Sequence, residues 1–246
     1  MGLSGAESWS GRTRRRLGDQ AAPLSGLRLS PEHRDLVLGL IGPVERLEPG
    51  REIVGHDGKP PRAGMIIEGW ACRQRLLPDG RRQIFDLLLP GDFIGLSPIG
   101  PLGSAWTVCL TRVDFADAGA LRRRLADVPS EFETIAHAFD TLARVELGRM
   151  LDQVVRLGRH TAYERTAHLF LELHDRAAAA GLADEGRFLL PLTQEVLADA
   201  LGLSVVHVNR VLQQLKRDRL IELHGGRARL LDRARLAMVS DASSGF

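Results

Sequence analysis

The chain has 246 residues, of which 44% are hydrophobic and 26% charged, and its formal net charge is +2. This length and balance predict two modest domains with their own cores, and they exclude a disordered chain. Two cysteines, Cys72 and Cys109, are too few for a disulfide framework, an iron–sulfur cluster or a four-cysteine zinc site. No apolar run approaches the roughly 20 residues that span a bilayer, and no signal peptide is visible, so we expect a cytoplasmic protein.

Residues 1–25 lack apolar periodicity and include four arginines between positions 12 and 16. They predict a mobile basic tail. It is either a solvated leader, which we favour, or an arm that adds phosphate contacts. Ser30 and Pro31 then predict the capped start of a short helix that ends at Ile41.

Residues 44–115 consist of short apolar runs divided by turn signals about ten residues apart. The signals are Pro49-Gly50, His56-Asp57-Gly58, Glu68-Gly69, Pro78-Asp79-Gly80, Pro90-Gly91-Asp92 and Pro101-Leu102-Gly103. This spacing predicts an all-β barrel or sandwich. Cys72 and Cys109, both expected in this core, would sense oxidation only if exposed and of lowered pKa.

From 131 to 157, apolar residues recur at steps of three and four and predict a helix about 40 Å long. The stripe consists of Ala136, Phe139, Ala143, Leu147, Met150, Val154 and Leu157. Small residues permit close approach of a second copy, so this stripe is either a dimer interface or a face packed within the monomer. Gly158, inside residues 156–160, is the predicted hinge.

Further along, residues 163–177 predict a helix, 178–186 a loop of small residues, and 188–192 a short strand. Residues 193–216 predict two helices joined by a tight turn, with Thr193 and Ser204 as caps and Gly202 at the corner. The second helix carries His207, Asn209, Arg210, Gln213 and other polar side chains of the types that contact bases and phosphates.

Two strand-like segments, 220–223 and 229–231, flank His224-Gly225-Gly226-Arg227, which predicts a hairpin turn. The hairpin would complete a winged helix-turn-helix. Between residues 203 and 235 there are eight Lys or Arg and three Asp or Glu, a local positive charge that suits a phosphate backbone.

Several segments together resemble the Crp/Fnr regulators. Met65-Ile66-Ile67-Glu68-Gly69, Arg81-Arg82-Gln83-Ile84 and Leu89-Pro90-Gly91-Asp92-Phe93-Ile94-Gly95 are similar to that family's cyclic-nucleotide-binding-type β-roll, as is the loop ending at Ser104-Ala105-Trp106. The hairpin with Ser204, Val208 and Arg210 is similar to its helix-turn-helix. The resemblance covers about residues 27–232.

The resemblance implies an α+β fold with an N-terminal antiparallel, jelly-roll-like β-roll, a long dimerisation helix and a C-terminal winged helix-turn-helix. The expected division is a tail at 1–25, a sensor domain at 26–130, a dimerisation helix and hinge at 131–158, and a DNA-binding domain at 159–246. The resemblance also implies a homodimer on palindromic double-stranded DNA and contact with RNA polymerase. The dimer interface is expected at Ala136, Phe139, Ala143, Leu147, Met150 and Val154.

By the same resemblance, Gly95, Leu96, Gly103 and Ser104 would line an effector pocket. In cyclic-AMP-binding members a glutamate follows the glycine that matches Gly95, and an arginine precedes the serine that matches Ser104. Here Leu96 and Gly103 stand at those positions. A cyclic phosphate in a partly desolvated pocket without its arginine is poorly compensated, so we expect no ordinary cyclic AMP binding.

Other signals are less defined. No cysteine precedes Cys72, so the amino-terminal iron–sulfur cluster found in some members is not expected. Haem stays open, with His56, His137 or a cysteine thiolate as conceivable axial ligands, although lone histidines seldom serve as ligands. The effector is unidentified.

In the recognition helix the resemblance makes Arg210 the best base reader, bidentate to guanine, and Asn209 the second. The family often has a glutamate where this chain has Val206, and Val205 and Val206 offer only apolar contact, for example to a thymine methyl. Phosphate contacts are expected from Thr193, His207, Gln213 and Arg227, and Ser204 lies at the same surface.

Two alternatives stay open. The first is an effector-independent dimeric scaffold that binds DNA constitutively. The second is a cupin-like metal enzyme, which the sequence disfavours because the β-region has the single histidine His56 and no set of ligands at metal-binding spacing. We therefore expect neither enzyme activity nor a metal site.

Overall fold

The computed structural model describes Leu24, Leu27 and residues 29–54, 62–96 and 105–240. Apart from Leu24, the predicted basic tail at 1–25 lies outside the described residues, as do His56, Gly103 and Ser104. The chain divides into two compact units, the first formed by residues 1–73 and 87–146 and the second by residues 74–86 and 147–246.

The first unit contains an antiparallel β-roll preceded by helix α1 (Pro31–Gly39), which Ser30 caps. This helix ends two residues before the predicted Ile41. The strands are β1 (Val44–Leu47), β2 (Glu52–Val54), β3 (Gly64–Glu68), β4 (Ala71–Leu76), β5 (Arg82–Leu88), β6 (Phe93–Ile94), β7 (Trp106–Cys109) and β8 (Val113–Asp117). They form two four-stranded sheets of order β1-β8-β3-β6 and β2-β7-β4-β5.

The burial of strand β3 explains why Met65, Ile66 and Ile67 follow one another without a polar residue between them. Successive side chains of a strand point to opposite faces. Met65 and Ile67 contribute to one apolar cluster, whereas Ile66 contributes to another together with Phe115 of β8. Because both faces of β3 are buried, the alternation expected of a half-exposed strand is absent.

The start of the long helix belongs to the core of the first unit. After α2 (Gly119–Ala126) and a 3₁₀ turn (Ser130–Phe132), helix α3 runs from Glu133 to Arg159. Phe139 is only 8% exposed, and its ring meets the ring of Phe93 edge-on at a centroid distance of 5.1 Å. The Phe139 ring therefore packs within its own chain, which leaves it little surface for the dimer contact predicted from the stripe.

The exposed apolar residues of α3 begin further along. Leu147, Leu151 and Val154 are 49%, 59% and 67% exposed. The helix also ends later than predicted at Gly158. Gly158 is helical, the helix is interrupted at His160, and Thr161 caps the next helix. That cap is reciprocal, and the backbone N–H of Thr161 lowers the pKa of Glu164 by donating to its carboxylate at 2.7 Å.

The second unit places helices around a small antiparallel sheet of order β11-β12-β10-β9. Its elements are α4 (Ala162–Ala179), β9 (Ala183–Asp184), β10 (Arg187–Leu189), α5 (Gln194–Leu201), α6 (Val205–Arg217), β11 (Ile221–His224), β12 (Arg227–Leu230) and α7 (Arg233–Val239). The predicted loop 178–186 is wrong in part, since α4 extends into it and β9 pairs there with β10. None of the described helices is both long enough and apolar enough to span a bilayer.

A buried ionic network joins three segments of the second unit. Arg156 donates to Glu172 at 2.7 Å and lies 3.2 Å from Nδ1 of His168. Arg176 lies 3.3 Å from Glu172 and 3.7 Å from Asp86. Burial by itself would raise the pKa of Glu172, but the guanidinium groups of Arg156 and Arg176 outweigh it and lower that pKa, so the network is ionised.

Candidate nucleic-acid interface

Helices α5 and α6 form the predicted helix-turn-helix, and local hydrogen bonds define its ends. The Thr193 hydroxyl accepts from the N–H of Val196, and the Ser204 hydroxyl accepts from the N–H of His207, each at 3.2 Å. Between them Gly202 is left-handed, with φ +63°. The predicted caps and corner are confirmed.

Helix α6 is fixed by one apolar face. Val208, Val211, Leu212 and Leu215 are buried, at steps of three and four. The opposite face is exposed and carries the side chains predicted to meet DNA. They are Val205, Val206, His207, Asn209, Arg210 and Gln213, with Ser204 exposed at the helix start and Thr193 exposed at the start of α5.

Asn209 has a partner that sequence reasoning missed. Its Nδ2 donates to Oε1 of Gln194, the first residue of α5, at 3.2 Å. Both side chains are exposed on the surface formed by the two helices. The sequence gives little indication of this bond, because a polar residue directly after a helix cap, here Gln194 after Thr193, is common.

The carboxyl end of α5 is held by side chains distant in sequence. Its last carbonyls have no partner within the helix and need donors from elsewhere. Gln83 donates to Asp199 O, Gln153 donates to Ala200 O and Arg165 donates to Leu201 O, each at 2.8 Å.

An ion pair adds to this arrangement. Arg82, on the β4–β5 hairpin beside Gln83, lies 2.6 Å from the Asp199 carboxylate and also donates to Gln74 at 3.2 Å. Both charged side chains are partly exposed, so solvent reduces their attraction. Within the second unit, the hairpin therefore contacts the helix that precedes the corner of the helix-turn-helix.

The wing is a tighter hairpin than predicted. His224 and Arg227 pair within the strands, so Gly225 and Gly226 alone form the turn, with φ +56° and +71°. Positive φ at both central residues is the geometry of a type I′ turn. Arg227 is exposed at the first position of β12, at the tip of the wing.

A separate cavity of about 230 Å³ lies within the first unit. Gly95 and Leu96, two of the predicted pocket residues, line it together with Phe93 and Phe139. Gly95 has φ +70°, and a Cβ there would collide with the carbonyl oxygen of Arg62, so the close approach of these two segments requires glycine.

The charged groups at the cavity are balanced. Arg73 and Glu146 line it and pair with each other at 3.4 Å, both side chains being largely buried, and Arg122 and Asp140 also line it. Two positive and two negative side chains among apolar lining residues suit a small ligand with a polar group. Leu96 supplies none of the hydrogen-bonding capacity that a glutamate would give there.

The cysteines are not placed for redox chemistry. Cys72 and Cys109 are both buried. Burial raises the pKa of the Cys109 thiol to about 11, which keeps it from being a reactive thiolate near neutral pH. Within the described ranges no group of three or more His, Cys, Asp or Glu side chains is arranged to hold a metal ion.

A β-roll followed by a long helix and a winged helix-turn-helix with an exposed polar recognition helix defines a DNA-binding regulator. The Crp-like helix-turn-helix domain family matches residues 164–239. The nitrogen fixation regulation protein FixK of Bradyrhizobium diazoefficiens is 34% identical over 183 residues, which cover 72% of this chain and 73% of that protein. The transcriptional activator protein FnrL of Cereibacter sphaeroides is 32% identical over 195 residues, 75% and 77% of the two chains.

The structure of FixK2 from Bradyrhizobium japonicum superposes with a TM-score of 0.68 at 28% identity, over 82% of this chain and 99% of that one. The chain belongs to the Crp/Fnr superfamily and is a DNA-binding transcriptional regulator of that type. The resemblance inferred from the motifs and the predicted fold class are confirmed.

Proposed function

We propose that the protein works as a homodimer that sets two copies of α6 in successive major grooves of a roughly palindromic site, about 34 Å apart. The observation that carries this proposal is the exposed face of α6, whose helix is fixed at its amino end by the Ser204 cap and along its length by four buried apolar residues.

Within each half-site, Arg210 is the principal base reader and Asn209 the second. Val206 is 63% exposed and can meet only an apolar group such as a thymine methyl. Thr193, His207, Gln213 and Arg227 contribute phosphate contacts, which fix the register of the protein without reading sequence. The bound protein contacts RNA polymerase and acts in the cytoplasm.

The second copy binds along the exposed part of α3. Leu147, Leu151 and Val154 are separated by four and three residues, the spacing of a coiled-coil seam. Ala136 and Ala143 line the cavity of their own chain. The proposed interface is therefore the part of the predicted stripe from Leu147 onward, to which Leu151 is added.

The signal is a small ligand in the cavity beside Gly95 and Leu96, not cyclic AMP. Binding there would bias the equilibrium between two states of the dimer in proportion to its differential affinity for them. A ligand-dependent change in DNA affinity would distinguish this sensor from a constitutive scaffold. Mass spectrometry of molecules that co-purify with the protein identifies the ligand class.

The proposal is tested by selection from random double-stranded oligonucleotides, followed by mobility-shift titration of the parent and Arg210→Ala at fixed salt. The parent should select a symmetric motif. The variant should lose about 1–3 kcal/mol of discrimination per half-site at one base pair. Equal preference of both proteins for specific over random DNA would remove Arg210 as a base reader.

A further inference from the structure

Gln194 lies on the first helix of the motif, and its side chain is hydrogen-bonded to Asn209, one of the two proposed base readers. Its Oε1 accepts the hydrogen bond from Asn209 Nδ2 at 3.2 Å, across the 15 positions that separate them in sequence. Among the described residues, Gln194 is the hydrogen-bond partner of the Asn209 side chain. The bond therefore orients one of the two readers on α6 from a different helix.

The orientation of the Asn209 amide matters because it decides which groups the side chain presents to a base. An asparagine side chain has one carbonyl acceptor and two N–H donors, and rotation of the amide group exchanges the edges that it presents. The bond to Gln194 uses one N–H and thereby selects one orientation. The remaining N–H and the Oδ1 acceptor stay available to a base.

This pair of groups matches one base best. Adenine presents an N7 acceptor and an N6 amino donor in the major groove, which an amide with one donor and one acceptor can satisfy together. Guanine presents two acceptors, O6 and N7, and would leave the Asn209 Oδ1 facing another acceptor. A polar group that is buried at the interface without a partner weakens binding, so guanine is disfavoured at this position.

We propose that Gln194 is a positioning residue that sets the base preference of Asn209 toward adenine. This inference rests on the proposed function, in which α6 lies in the major groove. Gln194 acts through Asn209, and its own amide N–H groups stay available to a neighbouring phosphate. A phosphate contact alone would carry no sequence preference, so the two roles can be separated.

Two charge-changing variants of the full-length protein separate the positioning of Asn209 from a phosphate contact by Gln194. Gln194→Glu keeps an acceptor for Asn209 but adds a negative charge, so affinity should fall for all sequences while the adenine preference persists. Gln194→Lys removes the acceptor and adds a positive charge, so affinity should be kept or raised. Its preference for adenine at one position per half-site should fall about fivefold or more, to the level of Asn209→Ala.

The measurement is a mobility-shift titration, at fixed salt, against the selected operator and a panel in which each base pair is replaced in turn. Gln214→Lys is the matched control, because it adds the same charge at an exposed position of α6 whose side chain does not bond to Asn209. It should raise affinity uniformly. The double variant Gln194→Lys with Asn209→Ala should show no loss beyond that of Asn209→Ala.

The outcomes distinguish failure of the positioning role from failure of the proposed function. If Gln194→Lys retains the parent preference at every position, or if Gln194→Glu loses it, the positioning role is refuted while the proposed function stands. If the position affected by Asn209→Ala prefers a base other than adenine, the assignment of the amide edge is refuted. If the parent selects no motif from random DNA, the proposed function fails, and this inference fails with it.

Discussion

Replacing Gln153 by leucine should loosen the helix-turn-helix without altering any residue on its DNA-facing surface. Gln153 lies on α3, is 6% exposed, and donates to the carbonyl of Ala200 at 2.8 Å. Leucine fills similar space but cannot donate. Among the residues that the structure describes, the carbonyl of Ala200 would then keep the longer contact with Gln83, at 3.4 Å.

The magnitude follows from the burial of that carbonyl. Leaving a buried acceptor without a good partner costs about 1–3 kcal/mol, more than the net gain from an average hydrogen bond. Because the bond supports the carboxyl end of α5, the loss should appear as easier local opening of α5 and α6. A cost of this size corresponds to an increase of about five- to 150-fold in the open population.

Hydrogen–deuterium exchange measured by mass spectrometry is the suitable assay, because Trp70 and Trp106, the tryptophans in the described part of the chain, both lie in the first unit. Peptides covering 194–217 should exchange faster by that factor in Gln153→Leu. Gln214→Leu is the matched control, since the same change at an exposed position of α6 should stay within about 0.5 kcal/mol of the parent.

If peptides 194–217 exchanged at the parent rate in Gln153→Leu, or no faster than in the Gln214→Leu control, the Gln153 hydrogen bond would not support the end of α5. A uniform acceleration across both units would also contradict a local role for that bond. That result would mean that the substitution destabilised the whole chain and did not act at the end of α5.

Four further predictions can be measured directly. Leu151→Glu should place charge on the proposed α3 seam and give a monomer in analytical ultracentrifugation at concentrations where the parent is a dimer; an undisturbed dimer would exclude this seam. Gly202→Ala should cost about 1–2 kcal/mol in urea unfolding because an alanine there must stay left-handed, whereas Gly148→Ala, in a helix, should not destabilise. Burial, and next the positive charge of Arg156, lower the pKa of His168 below 6.5 in the folded protein. As the pH falls, His168 is therefore protonated in the unfolded chain before it is protonated in the folded one. The stability that neutral His168 contributes is present above pH 6.5 and is lost as the pH falls below it, by at most about 1.4 kcal/mol per pH unit. His168→Gln should therefore flatten the slope of stability against pH in urea unfolding from pH 7.5 to 5.5. Calorimetric titration with cyclic AMP should show no binding at micromolar concentrations, and micromolar affinity would overturn the pocket argument.

The helix-turn-helix was accessible to sequence reasoning because its signals are local. Thr193 and Ser204 cap helices through bonds that reach three residues, and Gly202 takes a conformation that side chains disfavour. The same holds for the paired glycines of the wing. Such features depend on a few consecutive residues, so the sequence alone determines them.

Contacts between residues that are distant in the chain could not be predicted from the sequence. The sequence shows a stripe on α3, but it cannot show that Phe139 meets Phe93 and is buried, while Leu151 is exposed. Nor can it show that Gln83, 116 residues before Asp199, donates to that residue's carbonyl. An apolar or amide side chain has the same local propensity whichever partner it meets, and only the packing of separate elements selects that partner.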